Sequence, residues 1–373
     1  MACLIPYLPQ EAPFFTPACP HSMLFPRFFV VLKEPHPFDM PIKPRKPVAL
    51  DNLNQMQIYL GEETVEDFQD GLISRRAMLK RLIVICGGSA AAAAVLSACG
   101  VPLNAPSPAA TATASAAAAP TTAATRPPQP TPGPAKGPLT VAADDSAVKT
   151  SEVTFKSDTD IMAYFAQPAA AGSYPGVIVI HENRGLNDHI RDVARRLAKA
   201  GYIALAPDLV SRAGGTAKLE RDKVSGMLGQ AKPDDLVKDL NAGVAWLLTQ
   251  SNIKSTKVGV VGFCFGGAYT LRLAAANSSI AAAVPYYGVT PDPADQMSKT
   301  NAAILANYGA TDQRVNGTIP ALEAVMTKAG KVYEKKLYGG AGHAFNNDTG
   351  ANYNEAAAVA AWKATLDWFA KYL

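Results

Sequence analysis

Val258-Gly259-Val260-Val261-Gly262-Phe263-Cys264-Phe265-Gly266-Gly267 is the stretch on which the fold turns. Its first part is an apolar run of strand character, and 268–276 continues as a helix-like run. Between them stands a cysteine, with glycine two positions before it and two positions after. A nucleophile at the tip of a tight strand-to-helix turn sits in a strained backbone conformation. Strand and helix can close around it only if those two positions carry almost no side chain. The turn also sets Cys264 at a helix N-terminus, where free amides and the helix dipole favour a thiolate and offer an N–H to a developing oxyanion. A buried cysteine beside a glycine-rich packing turn would spell the same letters, so the choice between the two rests on the residues downstream.

After the elbow, an apolar run at 302–308 ends in Gly309-Ala310-Thr311-Asp312. A second run at 331–337 ends in Tyr338-Gly339-Gly340-Ala341-Gly342-His343-Ala344-Phe345, which holds the only histidine after the elbow. Nucleophile, acid, histidine is the chain order of α/β-hydrolase triads. Asp312 is expected to orient the imidazole and stabilise its charged form, and His343 to take the thiol proton and pass it to the leaving group. Alone, a strand-end Asp is ordinarily a turn residue and a loop His is ordinarily solvated. In this order, each at the end of a strand-like run, they read as a triad.

Strand-like runs occur at 152–156, 161–166, 176–181, 202–206, 257–262, 281–286, 303–308 and 332–337. Helix-like runs fall at 189–200, 234–248, 265–277, 319–329 and 355–372. Continuous apolar runs such as Val177-Ile178-Val179-Ile180 indicate strands covered on both faces. The expectation is an α/β-hydrolase fold: a mostly parallel sheet of about eight strands with helices on both faces and an antiparallel hairpin at one edge. Every candidate catalytic residue then falls at the carboxyl ends of the strands. Trp246, Trp362 and Trp368 sit on helix patterns and read as core, while Tyr286, Tyr287 and Tyr308 end strands near the expected cleft.

Over 148–373 the sequence resembles the dienelactone hydrolase family, whose founding activity is carboxymethylenebutenolidase. Five motifs in order carry the resemblance: His181-Glu182-Asn183-Arg184-Gly185-Leu186, Ala206-Pro207-Asp208-Leu209-Val210-Ser211-Arg212, the Cys264 elbow, the Asp312 turn and the His343 loop. The resemblance implies that Glu182 holds the resting thiol and that Arg212 binds a substrate carboxylate. It also implies that the amides of Phe265 and Asn183 form the oxyanion hole. One position departs from the pattern. Where the enzyme that opens dienelactones has a second arginine, four residues after the histidine, this chain has Asn347. A neutral amide cannot clamp a carboxylate as a guanidinium does, which puts dienelactone itself in doubt while leaving ester or lactone hydrolysis in place. The resemblance calls for no cofactor, and a monomer is expected.

Cys3, Cys19, Cys86 and Cys99 all precede the catalytic region, so Cys264 is its only cysteine and no disulfide can form within it. Ser74-Arg75-Arg76-Ala77-Met78-Leu79-Lys80 resembles a twin-arginine export signal, with an apolar stretch at 82–98 behind it. Leu96-Ser97-Ala98-Cys99-Gly100 resembles a bacterial lipobox, which implies lipidation of Cys99, a membrane anchor and an exported protein. The competing reading is a transmembrane helix, for which the Ala- and Gly-rich span is marginal. The segment 99–140 is mostly Ala, Pro and Thr and reads as a disordered tether. Residues 1–55 lack a period, and translation is expected to start at Met56, with a polar helix at 58–73 leading into the signal at 56–98.

The net charge is +4, and no basic cluster is dense enough to suggest nucleic acid. Arg191, Arg195, Arg196 and Lys199 are expected to form a solvated helix face. His181 and His189 read as structural, and no pair of histidines has metal-ligand spacing. Two other classes stay open: a lipid-anchored binding protein that keeps the fold without turnover, and a redox thiol, which would need an external thiol for want of a resolving cysteine. Loops 214–229 and 290–300 are expected to set specificity.

Overall fold

The computed structural model describes residues 50–102 and 137–373, which belong to one compact unit. The start at 1–49 and most of the tether fall outside the described residues. The strands are β1 (Val148–Lys156), β2 (Asp160–Pro168), β3 (Tyr174–Ile180), β4 (Ile203–Pro207), β5 (Ile253–Phe263), β6 (Ile280–Tyr286), β7 (Ala303–Gly309) and β8 (Tyr333–Tyr338). They form one eight-stranded sheet in the order β1-β2-β4-β3-β5-β6-β7-β8. β2 is antiparallel to both β1 and β4, and the remaining neighbours are parallel. This is an α/β-hydrolase fold with the expected edge hairpin.

Consecutive residues Val177, Ile178, Val179 and Ile180 are all 0% exposed, so both faces of the central strand are covered. Two glycines show by what. A Cβ on Gly176 would point at Leu247 of the helix Pro233–Leu248, and one on Gly259, a register partner of Val177, at Phe369 of the helix Glu355–Tyr372. These helices therefore lie on opposite faces. With the others they are α4 (Asp188–Lys199), α6 (Pro233–Leu248), α7 (Phe265–Ala276), α9 (Ile319–Lys328) and α10 (Glu355–Tyr372). Short helices α5 (Arg221–Gln230) and α8 (Gln313–Asn316) border the loops at the strand ends.

The charged face expected of α4 is instead half buried. Arg195 and Arg196 are 9% and 4% exposed, because the tether's end and the loop after β8 close over them. Arg196 pairs with Asp192 and, at 2.6 Å, with Asp348; His189 Nδ1 lies 3.2 Å from the same Asp348 carboxyl. Arg195 donates to the Val141 carbonyl at 2.7 Å. Burial raises Asp348, but the His189 hydrogen bond and the Arg196 charge outweigh it and hold its carboxyl well below the usual range. Charge periodicity alone could not distinguish this buried network from a wet surface.

Ahead of the sheet, α1 (Gln55–Gln69) and α2 (Arg75–Cys86) pack on α5 of the catalytic region, and α3 (Ser89–Ala98) packs on α1 and α2. Asn54 and Gln57 form a reciprocal capping box that starts α1. Met56, Tyr59, Leu60, Thr64, Val65 and Phe68 bury one of its faces. The apolar stretch at 82–98 is not one helix. It breaks at Gly87, which has φ 75°, and the two parts meet at 113°. Among the described residues no single helix is long and apolar enough to cross a membrane, though the bent pair α2 and α3 passes by length and composition.

Candidate active site

At the carboxyl end of β5 the chain turns directly into α7, and Cys264 is caught between them at φ 56° and ψ −117°. That backbone conformation is costly for any residue with a Cβ, by about 1–3 kcal/mol, and it persists because its flanks leave no alternative. A Cβ on Gly262 would fall 2.2 Å from the Gly266 carbonyl oxygen, and one on Gly266 2.3 Å from that of Ile180. The strand, the elbow and the helix thus touch backbone to backbone. Phe265 is the first residue of α7, where an N–H has no acceptor within the helix.

The two downstream loops converge on this turn. Asp312, at the end of β7, holds His343 Nδ1 at 2.6 Å and caps α8 by accepting from Val315 N at 3.2 Å. Burial opposes the Asp312 charge, yet the hydrogen bond and charge of His343 outweigh it and hold the carboxyl below the usual range. Burial likewise opposes charge on His343, and the Asp312 hydrogen bond and charge raise its imidazole well above the ordinary value. The Cys264 thiol is pushed up by burial and then by the Glu63 carboxylate. The structure brings Cys264, Asp312 and His343 together.

Glu182 sits in the same cavity but does not hydrogen-bond the thiol, as the resemblance implies it should. Its oxygens accept from Tyr287 Oη at 3.3 Å and from Asn347 Nδ2 at 2.7 Å. Asn347, the residue in place of the second arginine, is thus spent on Glu182. Arg212 turns away: its guanidinium grips Asp239 at 2.7 and 2.9 Å and does not line the cavity at Cys264. The ordered loop beneath depends on His181, whose Nε2 accepts from Leu209 N at 3.0 Å while Nδ1 donates to the Glu182 carbonyl at 2.7 Å. That arrangement fixes a neutral tautomer, consistent with the burial that lowers this imidazole. Of the three strand-end tyrosines, Tyr287 packs its ring edge-on to His343 at 5.0 Å, and all three are fully buried.

Beside His343, the groups that touch the thiol come from α1. Tyr59 Oη lies 3.3 Å from Cys264 Sγ and 3.5 Å from His343 Nε2. The Glu63 carboxylate lies 3.4 and 3.5 Å from the same sulfur and accepts from Asn183 Nδ2 at 2.8 Å. Burial raises both Tyr59 and Glu63. Sequence reasoning misses this pair because it assigns 56–98 to targeting, and no local signal links residue 59 to residue 264. Glu63, Cys264 and His343 each offer one ligand atom within 4.8 Å of the others, a set that could hold a metal ion.

The profile described as "Dienelactone hydrolase family" matches residues 161–373, more than half of the chain. The chain belongs to the dienelactone hydrolase family. As a member it is a carboxylic ester hydrolase by class. Among similar proteins, one of Methylorubrum extorquens named "Putative carboxymethylenebutenolidase" is 34% identical over 252 residues, covering 64% of this chain and 87% of its own length. One of the same name from Escherichia coli K12 is 33% identical over 256 residues, covering 64% and 94%. A crystal structure described as a "Putative Dienelactone Hydrolase" from Klebsiella pneumoniae is similar at TM-score 0.57 and 31% identity, covering 61% of this chain and 100% of that one. A dienelactone hydrolase-like promiscuous phosphotriesterase from metagenomic libraries is similar at TM-score 0.53 and 27% identity, with 61% and 99% covered. The helices α1 to α3 lie outside the stretch that defines the family.

Proposed function

We propose that this dienelactone hydrolase family member cleaves small esters or lactones through a thioester on Cys264. The observation that carries the reading is the elbow cysteine at φ 56° beside an Asp312–His343 pair at 2.6 Å. In this reading the Cys264 thiol gives its proton to His343 Nε2 while Sγ bonds to the substrate carbonyl carbon. The amides of Phe265 and Asn183 receive the oxyanion. Collapse breaks the carbon–oxygen bond, and the departing alkoxide takes the proton from His343. A water then gives its proton to His343 as it attacks the thioester, and the thiolate leaves and is reprotonated.

Glu182 acts here as a charge beside the thiol, positioned by Tyr287 and Asn347. Arg212, neutralised by Asp239, has no step. An anionic substrate must find its partner elsewhere, and the Asn347 position disfavours dienelactone. Cys264→Ala is expected to abolish hydrolysis of a panel of aryl esters and lactones with the fold intact; full activity in that variant ends the proposal. We also propose export by the twin-arginine signal at 74–80 and lipidation of Cys99. Labelling with a tagged fatty acid in a bacterial host should be lost in Cys99→Ala, and label persisting in that variant refutes the anchor.

A further inference from the structure

We propose that α1 is an intramolecular plug that occupies the substrate position at Cys264, so that the chain carrying it is held inactive. The inference rests on the hydrolase reading only for which atoms matter. For a thiol to act, its proton must reach His343 and a carbonyl carbon must reach Sγ. Tyr59 Oη stands within 3.5 Å of both Sγ and Nε2, at the place where that proton would pass. The Glu63 carboxylate lies against Sγ and on the Asn183 side chain, at the mouth of the oxyanion site. Cys264 is left 2% exposed.

The plug is docked by specific contacts and not by apolar burial alone. Arg314, two residues past Asp312, donates from Nε to Glu66 at 2.9 Å and stacks over the Tyr59 ring at 4.6 Å. Its two terminal nitrogens are buried without a partner, so α1 satisfies this guanidinium only in part. At the other end, the Gln55 side chain donates to the Thr290 carbonyl at 2.8 Å, and its oxygen accepts from Asp292 N at 3.0 Å and from Arg272. Arg81 of α2 bridges Asp67 of α1 and Asp222 of α5. The segment bearing these contacts lies outside the family's defining stretch, and the Klebsiella relative is covered in full by 61% of this chain. Attached through 103–136, the plug acts at the high effective concentration of an intramolecular ligand.

The test uses the full chain and reads the alkylation of Cys264 by iodoacetamide, resolved by peptide mass, beside hydrolysis of a neutral aryl ester. A Tyr59→Ala/Glu66→Ala variant should be alkylated at Cys264 roughly ten-fold faster or more, because a site open a tenth of the time reacts a tenth as fast. Its ester hydrolysis should rise with it. Equal alkylation rates in the two forms overturn the plug, as does a fall in hydrolysis, which would make α1 part of the catalytic machinery. Should the variant not fold, a full chain with a protease site placed in 103–136 can be cut and its leading fragment removed on a sizing column. Faster alkylation after removal upholds the plug, and an unchanged slow rate overturns it. Faster alkylation with no ester turned over by any form upholds the plug and refutes the hydrolase reading instead.

Discussion

A thiol at a strained elbow is governed by the few groups within hydrogen-bond reach of its proton, and here those groups are unequal. His343, oriented by Asp312, is placed to accept that proton, while Glu63 and burial hold it on sulfur. Replacing Glu63 by Gln removes a negative charge beside Sγ, so the thiol pKa falls, and the pH at which alkylation is half-maximal should move down; an upward move contradicts the account. Asp312→Asn leaves the imidazole without its orienting charge and is expected to lower kcat by about 10²–10⁴-fold with the thermal midpoint little changed. Gly266→Ala, by contrast, forces a methyl into the Ile180 carbonyl and should cost stability rather than activity alone, by about 2–4 kcal/mol in a denaturant titration. At this scale the triad is legible in the sequence, because its spacing follows from sterics and chain order. The hydrogen bonds that tie Glu182 to Tyr287 and Asn347 are not, because side-chain partners across loops leave no periodic mark.

Elements are legible where burial forces a pattern. The inner strands β3, β4, β6 and β7 show as apolar runs because nearly every residue in them is covered, whereas the edge strands β1 and β8 are largely exposed and carry charged residues among their apolar ones. Helix α5 looks like a loop in the sequence because Gly226 and Gly229 break its pattern, and both are small for a packing reason. A Cβ on Gly226 would fall 2.2 Å from Val84 of α2, and one on Gly229 3.2 Å from Ile85. The arginines of α4 mislead in the opposite sense, looking solvated while two of them are buried on acids. Asp348→Asn leaves the buried Arg196 short of a counter-charge and should cost about 3 kcal/mol of stability at neutral pH. The depressed carboxyl of Asp348 contributes its full stability above the ordinary carboxylate range, near pH 4, and loses it as pH falls toward its own lower value. The variant's stability should therefore fall less steeply than the parent's on acidification below about pH 4. A parallel decline would place the buried network elsewhere.

For the whole molecule, the division into targeting segment and enzyme that the sequence suggests is not a division in space. Helices α1 to α3 and the catalytic region fold as one unit, and contacts between residues 205 positions apart join Tyr59 to Cys264. Nothing in composition announces such a contact, since Tyr59 and Glu63 are ordinary residues of an amphipathic helix until the fold brings the elbow to them. Under the proposed lipidation of Cys99, cleavage ahead of that residue would remove α1 and unmask Cys264 in the same event. The most direct test of the central claim, a thioester on Cys264, is mass analysis of the Tyr59→Ala full chain quenched during turnover of an aryl ester. The account predicts an added acyl group on the peptide carrying Cys264, formed in a burst and lost as hydrolysis completes. An acyl group on any other residue, or turnover undiminished when Cys264→Ala is added to that variant, would contradict it.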